Sequence, residues 1–396
     1  MLLIVGVFLL IISFFIYKKW NSYIAPAVII SFAWGMVFVG YGLISHGMYD
    51  ISIKTFFVLC IWIFSSLLGA FFFTHVKVLP SSSSDSVFNT TIRSVYYWIS
   101  VIGVFPLLYI AYKQGTTMEA DFLFNLRMAN TGIVETEYKY GIFQYVFAIA
   151  YVSLLIETYS SEKINKRIII LLIINILLSI ITMAKSTFFF LFIPFACIKI
   201  FTLNISIKKL IPFLGIIVLF MIFVQLMRTG EDSENVISTM FNVYIFGGIP
   251  ALDQIVVADT HTLNWGEMTF RFFYTVKSVV LGGGIEDGNY INNIFSNGQY
   301  VFVPYPTNVF TVIFPFWMDF GFLGVLVGGL IFGILAGLIY KLAIRKRAWS
   351  IVFYSYLVAV LVLPFFGEYL VTNLSYTIQL ILLSYIANVF NYRIKW

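Results

Sequence analysis

Three arginines and two carboxylates are the residues of this sequence best suited to chemistry. Arg127 stands in FNLRMANTG, Arg228 in QLMRTGED and Arg271 in MTFRFFYT. A guanidinium is always charged and grips phosphate oxygens through two parallel hydrogen bonds, so several aimed at one place could hold a diphosphate. Taken singly, each arginine could equally snorkel to lipid phosphates or pair with nearby acids such as Glu231 and Asp232. Asp319 lies in PFWMDFGFLG and Glu368 in PFFGEYL. An unpaired carboxylate inside a membrane helix costs roughly 2.5–3.5 kcal/mol, so Asp319 is expected to face a wet cavity or a basic partner. Either carboxylate could serve as a general base; the structural alternatives are an ion pair for Asp319 and a solvated turn for Glu368.

Metal chemistry has little to stand on in the sequence. His46, His75 and His261 are far apart, and no zinc-type spacing occurs. The run Glu231, Asp232, Glu234 reads as a solvated loop at a helix exit. No metal and no cofactor are expected. Cys60 and Cys197 both fall in apolar segments, where a reduced thiol packs as a small hydrophobe. The string DFG and the run Gly282, Gly283, Gly284 lack the surrounding elements of a kinase or a nucleotide loop.

The elements that must position these residues are membrane helices. The chain is 61% hydrophobic and 11% charged, against roughly 25% charged residues in an ordinary soluble domain. Apolar runs lie near 2–16, 27–45, 55–74, 95–112, 142–158, 168–184, 187–203, 210–227, 316–340, 350–366 and 371–390. In lipid each run must be helical, because a lone strand would leave its backbone groups unpaired. The expected fold is an all-α polytopic membrane protein, one domain over 1–396, with no Pro/Gly/Ser-rich linker dividing it. The first run lacks the marks of a signal peptide and reads as a retained helix.

Basic residues set the orientation. Lys18, Lys19, Lys77, Arg93, Lys163, Lys166, Arg167, Lys199, Lys208, Lys209, Lys341, Arg345, Lys346, Arg347, Arg393 and Lys395 all fall on one side when the spans alternate, and that side is expected to be the cytoplasm. The N-terminus is then periplasmic and the C-terminus cytoplasmic, in a bacterial inner membrane. The net charge of +6 follows from this collection and gives no reason to expect nucleic acid as a partner. Two long extracytoplasmic loops result, at 113–141 and 228–306. In the second, Val236 to Val257 and Met268 to Val280 are apolar enough to lie on or dip into the membrane. Parity allows eleven spans, or thirteen if that pair crosses. Prolines Pro304, Pro306 and Pro315 lead the chain back toward the membrane, and Gly324 and Gly328 are spaced for close helix contact. No internal repeat is present, which argues against a transporter built from matched halves.

The run PTNVFTVIFPFWMDFGFLG resembles a segment of the O-antigen (Wzy-type) polymerases, which join oligosaccharide repeat units of bacterial surface polysaccharides. Asn308, Phe310 and Thr311 resemble the family's Asn-x-(Phe/Tyr)-Thr run; Asp319, Phe320, Gly321 and Gly324 resemble its aromatic-x-Asp-Phe-Gly-x-x-Gly run. Arg271 and Gly282 also match an arginine followed after ten residues by glycine, described in outer loops of some members. Arg127 departs from that pattern, since Tyr138 falls in a comparable place and Gly141 is the nearest glycine beyond it.

The resemblance implies a metal-independent glycosyltransferase of GT-C type, working on the periplasmic side upon undecaprenyl-diphosphate-linked oligosaccharides. A hydroxyl of one unit would attack the anomeric carbon of the growing chain, and undecaprenyl diphosphate would leave. Arg127, Arg228 and Arg271 would stabilise the diphosphate, and Asp319 or Glu368 would take the hydroxyl proton. Tyr305 is one of several aromatic residues able to stack on sugar. Besides substrate and membrane lipid, a polysaccharide chain-length regulator is an expected partner. Two other readings share the topology: a lipid-linked oligosaccharide flippase, and an O-antigen ligase, for which His261 would be the residue to watch.

Overall fold

The computed structural model describes residues 1–74, 86–117, 121–130, 136–184, 186–203, 242–258, 266–281 and 301–389, with 215, 219 and 222. About 78% of these residues are helical, and the fold is that of an all-α membrane protein. The helices are α1 (Leu2–Trp20), α2 (Pro26–Leu43), α3 (Ile53–Thr74), α4 (Thr90–Gly115), α5 (Phe122–Asn130), α6 (Tyr145–Ser160), α7 (Lys166–Thr182) and α8 (Ser186–Leu203). They continue with α9 (Gly248–Ala258), α10 (Arg271–Leu281), α11 (Phe314–Ile344), α12 (Ala348–Val362) and α13 (Leu374–Val389). Strands β1 (Val301–Phe302) and β2 (Pro306–Thr307) pair antiparallel, Val301 opposite Thr307. Among the described residues, seven helices are long and apolar enough to cross a membrane.

Every expected run except 210–227, which lies almost wholly outside the described residues, coincides with a helix. The ends follow local chemistry. Asn89 caps α4 by accepting from the N–H groups of Thr91 and Ile92, and Asn165 caps α7 through Ile168. Pro26 opens α2, where a missing N–H is harmless. The run expected to reach 366 stops at Val362, two residues before Pro364. Helices α9 and α10 have 11 residues each, a rise of roughly 16 Å against a hydrocarbon core of about 30 Å.

The chain divides into two compact units. The first holds Met1–Val78, Asn235–Lys341 and Val360–Thr377; the second holds Leu79–Glu234, Leu342–Ala359 and Ile378–Trp396. The later boundaries fall inside α11, α12 and α13 rather than in linkers.

In the first unit α1 and α2 form a hairpin packed so closely that a Cβ on Gly6 would stand 2.8 Å from the Val39 nitrogen. Helix α11 meets α3 along Gly329, Gly333 and Gly337; a Cβ on Gly333 would lie 2.0 Å from the Ser66 carbonyl oxygen. Trp34, Trp62 and Trp317 fill the core. The unit has two distinct ends. At one, Tyr340 donates to Ser22 at 2.8 Å, close to Lys18, Lys19 and Lys341 in sequence. At the other, the start of α3 meets α9 and the start of α11.

In the second unit α4, α5, α6 and α7 bury Val104, Leu107, Leu126, Val146, Ile174 and Leu178 against one another. Lys199 of α8 turns its ammonium onto the carbonyls of Thr158, Ser161 and Glu162 at 3.1, 2.6 and 3.3 Å, capping the C-terminal end of α6.

Candidate functional site

One polar construction in the first unit is built around the break in α11. Gly321 has φ 57° and ψ −140°, a conformation barred to residues with a Cβ. The chain reverses there. A Cβ on Gly324 would stand 2.2 Å from the carbonyl oxygen of Phe316, and one on Gly328 would stand 2.5 Å from the Phe316 ring. Residues eight apart in a continuous helix are roughly 12 Å apart along the axis. Residues 314–320 therefore form a short leg folded back along the rest of α11, and Gly324 and Gly328 make room for that leg. The interhelical contact with α3 belongs to Gly329, Gly333 and Gly337 instead.

Asp319 sits on the short leg, 0% exposed. Its carboxylate accepts from the N–H of Thr269 at 2.6 Å and of Met268 at 3.2 Å. Thr269 also donates its hydroxyl toward the Pro315 carbonyl at 3.4 Å, and the ring of Phe270 meets that of Phe320 at 6.3 Å. These contacts fasten the turn 266–270 to the short leg. Arg271 is the next residue, the first of α10. Burial lowers its pKa, but a guanidinium starts so high that it keeps its charge. Among the described residues no basic side chain pairs with Asp319; its partners there are the backbone N–H groups of Met268 and Thr269, with the Thr269 side chain beside them. Those donors lie just before the N-terminus of α10, where a negative charge is favoured.

Glu368 has a similar occupation. It is 9% exposed. One oxygen accepts from Leu370 and Val371 at 2.8 and 3.0 Å, the other from Val371 and Thr372 at 2.9 and 2.7 Å. Far from a solvated turn residue, it ties down the approach to α13. Burial pushes its pKa above the ordinary carboxylate value, against the pull of those N–H groups.

Compared with known proteins, the chain matches no family model, no curated protein and no solved structure.

The same end of the unit is closed by residues that the sequence did not single out. Asp253 of α9 accepts from the Ser52 N–H at 2.8 Å and hydroxyl at 2.6 Å, joining α9 to the start of α3. Gln254 donates to the carbonyl of Phe302, tethering the β-hairpin. Lys54 lies over the Trp317 ring, 5.4 Å from its centroid. The N–H of Val312 donates to the Pro364 carbonyl at 2.7 Å, and a Cβ on Gly248 would stand 2.5 Å from the Phe365 carbonyl oxygen. A short polar residue facing a backbone N–H across some two hundred positions leaves no local sequence signal.

The other candidates fall as follows. Tyr305 is exposed on the hairpin turn and Asn308 is exposed just after β2. Thr311 is buried and accepts from the Ile313 N–H at 3.3 Å. Arg127, on α5, belongs to the second unit. Arg228 and His261 lie outside the described residues.

Proposed function

We propose that this protein is a membrane-embedded glycosyltransferase that polymerises lipid-diphosphate-linked oligosaccharides, with Arg271 stabilising the departing diphosphate. One observation carries the reading. The segment with the family resemblance, Trp317-x-Asp319-Phe320-Gly321-x-x-Gly324, is the segment whose reversal and carboxylate hold the turn ahead of Arg271. A cation fixed before the reaction begins stabilises growing negative charge without reorganisation. Asp319 then acts as a positioning residue.

The exchange balances without either carboxylate as base. A hydroxyl oxygen of the acceptor bonds to the anomeric carbon of the donor, and the carbon–oxygen bond to the diphosphate breaks. Electrons of that bond go to the diphosphate, and the hydroxyl proton can leave on a diphosphate oxygen. The remaining features of this reading are eleven spans, a GT-C architecture, an extracytoplasmic site, and an inner-membrane orientation with the Lys18–Lys19 end in the cytoplasm. Undecaprenyl diphosphate would be the leaving group, and Arg127 and Arg228 would be further cations for it.

The test is purified protein in detergent with lipid-linked repeat units. A ladder of extended products with no second compartment supports an enzyme; a flippase gives none, and an O-antigen ligase gives transfer to a separate acceptor without a ladder. Arg271→Ala is expected to cost roughly 10²-fold or more in extension at unchanged protein level, and Asp319→Asn at least about ten-fold through misplacement of Arg271. A normal ladder from Arg271→Ala would overturn the diphosphate role.

A further inference from the structure

The second unit carries an arrangement that the proposed reaction does not use. Glu157, near the C-terminal end of α6, is 1% exposed. Arg93 of α4 grips it in two places, Nε to Oε1 at 3.2 Å and Nη2 to Oε2 at 2.7 Å. Arg167 of α7 approaches the same carboxylate, Nη1 to Oε1 at 3.7 Å, donates to the Ser94 hydroxyl at 3.4 Å and lies over the Tyr97 ring at 5.2 Å. One buried acid thus orients two guanidiniums and neutralises only one of them. Burying a carboxylate is costly unless its partners hold it well, so the gain lies in where the arginines are fixed.

Each guanidinium has five N–H donors in a rigid fork. Glu157 takes two donors of Arg93, and Arg167 spends only its Nη1 group on Glu157 and Ser94. The other N–H groups of both arginines have no hydrogen-bond partner among the described residues. Arg167 is about half exposed, its side chain at 45%. Lys163 and Lys166 precede it in the same stretch and are exposed. Beyond the arginines both helices continue with exposed apolar residues, Val95, Trp98 and Ile102 on α4 and Ile170 and Ile173 on α7. A surplus of fixed cationic donors therefore borders faces suited to hydrocarbon.

We infer that Arg93 and Arg167, oriented by Glu157, form a binding site for the phosphate headgroup of an anionic phospholipid, whose acyl chains run along the exposed faces of α4 and α7. The site commits to a bilayer lipid rather than a free anion, because the apolar faces start where the donors end. Phosphate accepts the paired N–H groups of arginine better than any neutral headgroup.

The experiment uses the full chain, delipidated in neutral detergent and titrated with phosphatidylglycerol, bound lipid being read by native mass spectrometry. Phosphatidylglycerol should be retained, phosphatidylcholine should not, and millimolar inorganic phosphate should fail to displace the bound lipid. Arg167→Ala should weaken retention by roughly ten-fold, the order expected for losing a charged hydrogen-bonding partner. Lys163→Ala removes the same charge from the same end and should change retention little; because both side chains are exposed, neither variant threatens the fold. Equal losses in the two variants, equal retention of phosphatidylcholine, or displacement by inorganic phosphate would each overturn the site.

Discussion

At the scale of single residues, both carboxylates near the candidate site are acceptors for backbone N–H groups. Asp319 anchors the turn before Arg271 and Glu368 anchors the turn before α13. For Glu368 burial outweighs its hydrogen bonds, and its folded-state pKa stands above that of the unfolded chain. A raised pKa means that the folded state holds the proton more tightly. Its stabilising share is then complete below the ordinary carboxylate value of about 4.3 and is lost as pH rises through the folded value. Melting temperature in detergent is expected to fall as pH is raised across that window, and Glu368→Gln to flatten the slope. An unchanged slope in the variant would show that other groups set it. The sequence made Asp319 and Glu368 conspicuous because an acid among apolar residues must have a reason to be there. It could not say that the reason for Asp319 is a backbone N–H fifty residues away, since any segment can supply one, or that Glu368 folds back onto the N–H groups of the next few residues. Arg93 and Arg167 were hidden for the opposite cause: a lysine- and arginine-rich helix end is ordinary, and only the buried Glu157 between them sets these two apart.

At the scale of elements, glycine decides how α11 packs. The face that meets α3 repeats every fourth residue, Gly329, Gly333 and Gly337, and presses against the backbone of Ser66 and Ala70. Gly333→Val should separate the two helices and lower stability by about 1–3 kcal/mol or more, the usual cost of overpacking. Thermal unfolding in detergent measures it; a variant as stable as the parent would mean that the helices are free to move apart. The helices themselves were legible, because a run of apolar residues in lipid has one way to satisfy its backbone. Their ends were less so. The run to 366 is cut at Val362 ahead of Pro364, and the run from 316 conceals a reversal at Gly321 that hydropathy does not register, since the two legs read on as one apolar stretch. Gly324 and Gly328 were legible as small for a purpose, yet the occupant of the space is Phe316 of the same element rather than another helix.

At the scale of the molecule, the proposed orientation rests on basic residues and can be checked at two turns. Ser45 lies between α2 and α3, and Ile164 between α6 and α7; both are exposed. With Cys60 and Cys197 replaced, Ser45→Cys should react with a membrane-impermeant thiol reagent in intact cells, and Ile164→Cys only after permeabilisation. The reverse pattern would invert the protein and move the Arg271 end to the cytoplasm. That end has a further property, which follows from the bond between Val312 and Pro364 and the seat of Gly248 against Phe365. A ribosome makes α9 and α10 long before it makes the residues that brace them. During synthesis the turn at 266–270 waits for Asp319, and the whole corner waits for Pro364. Chains released before that proline would reach the membrane with this corner open, and the cell's quality-control proteases would meet it first.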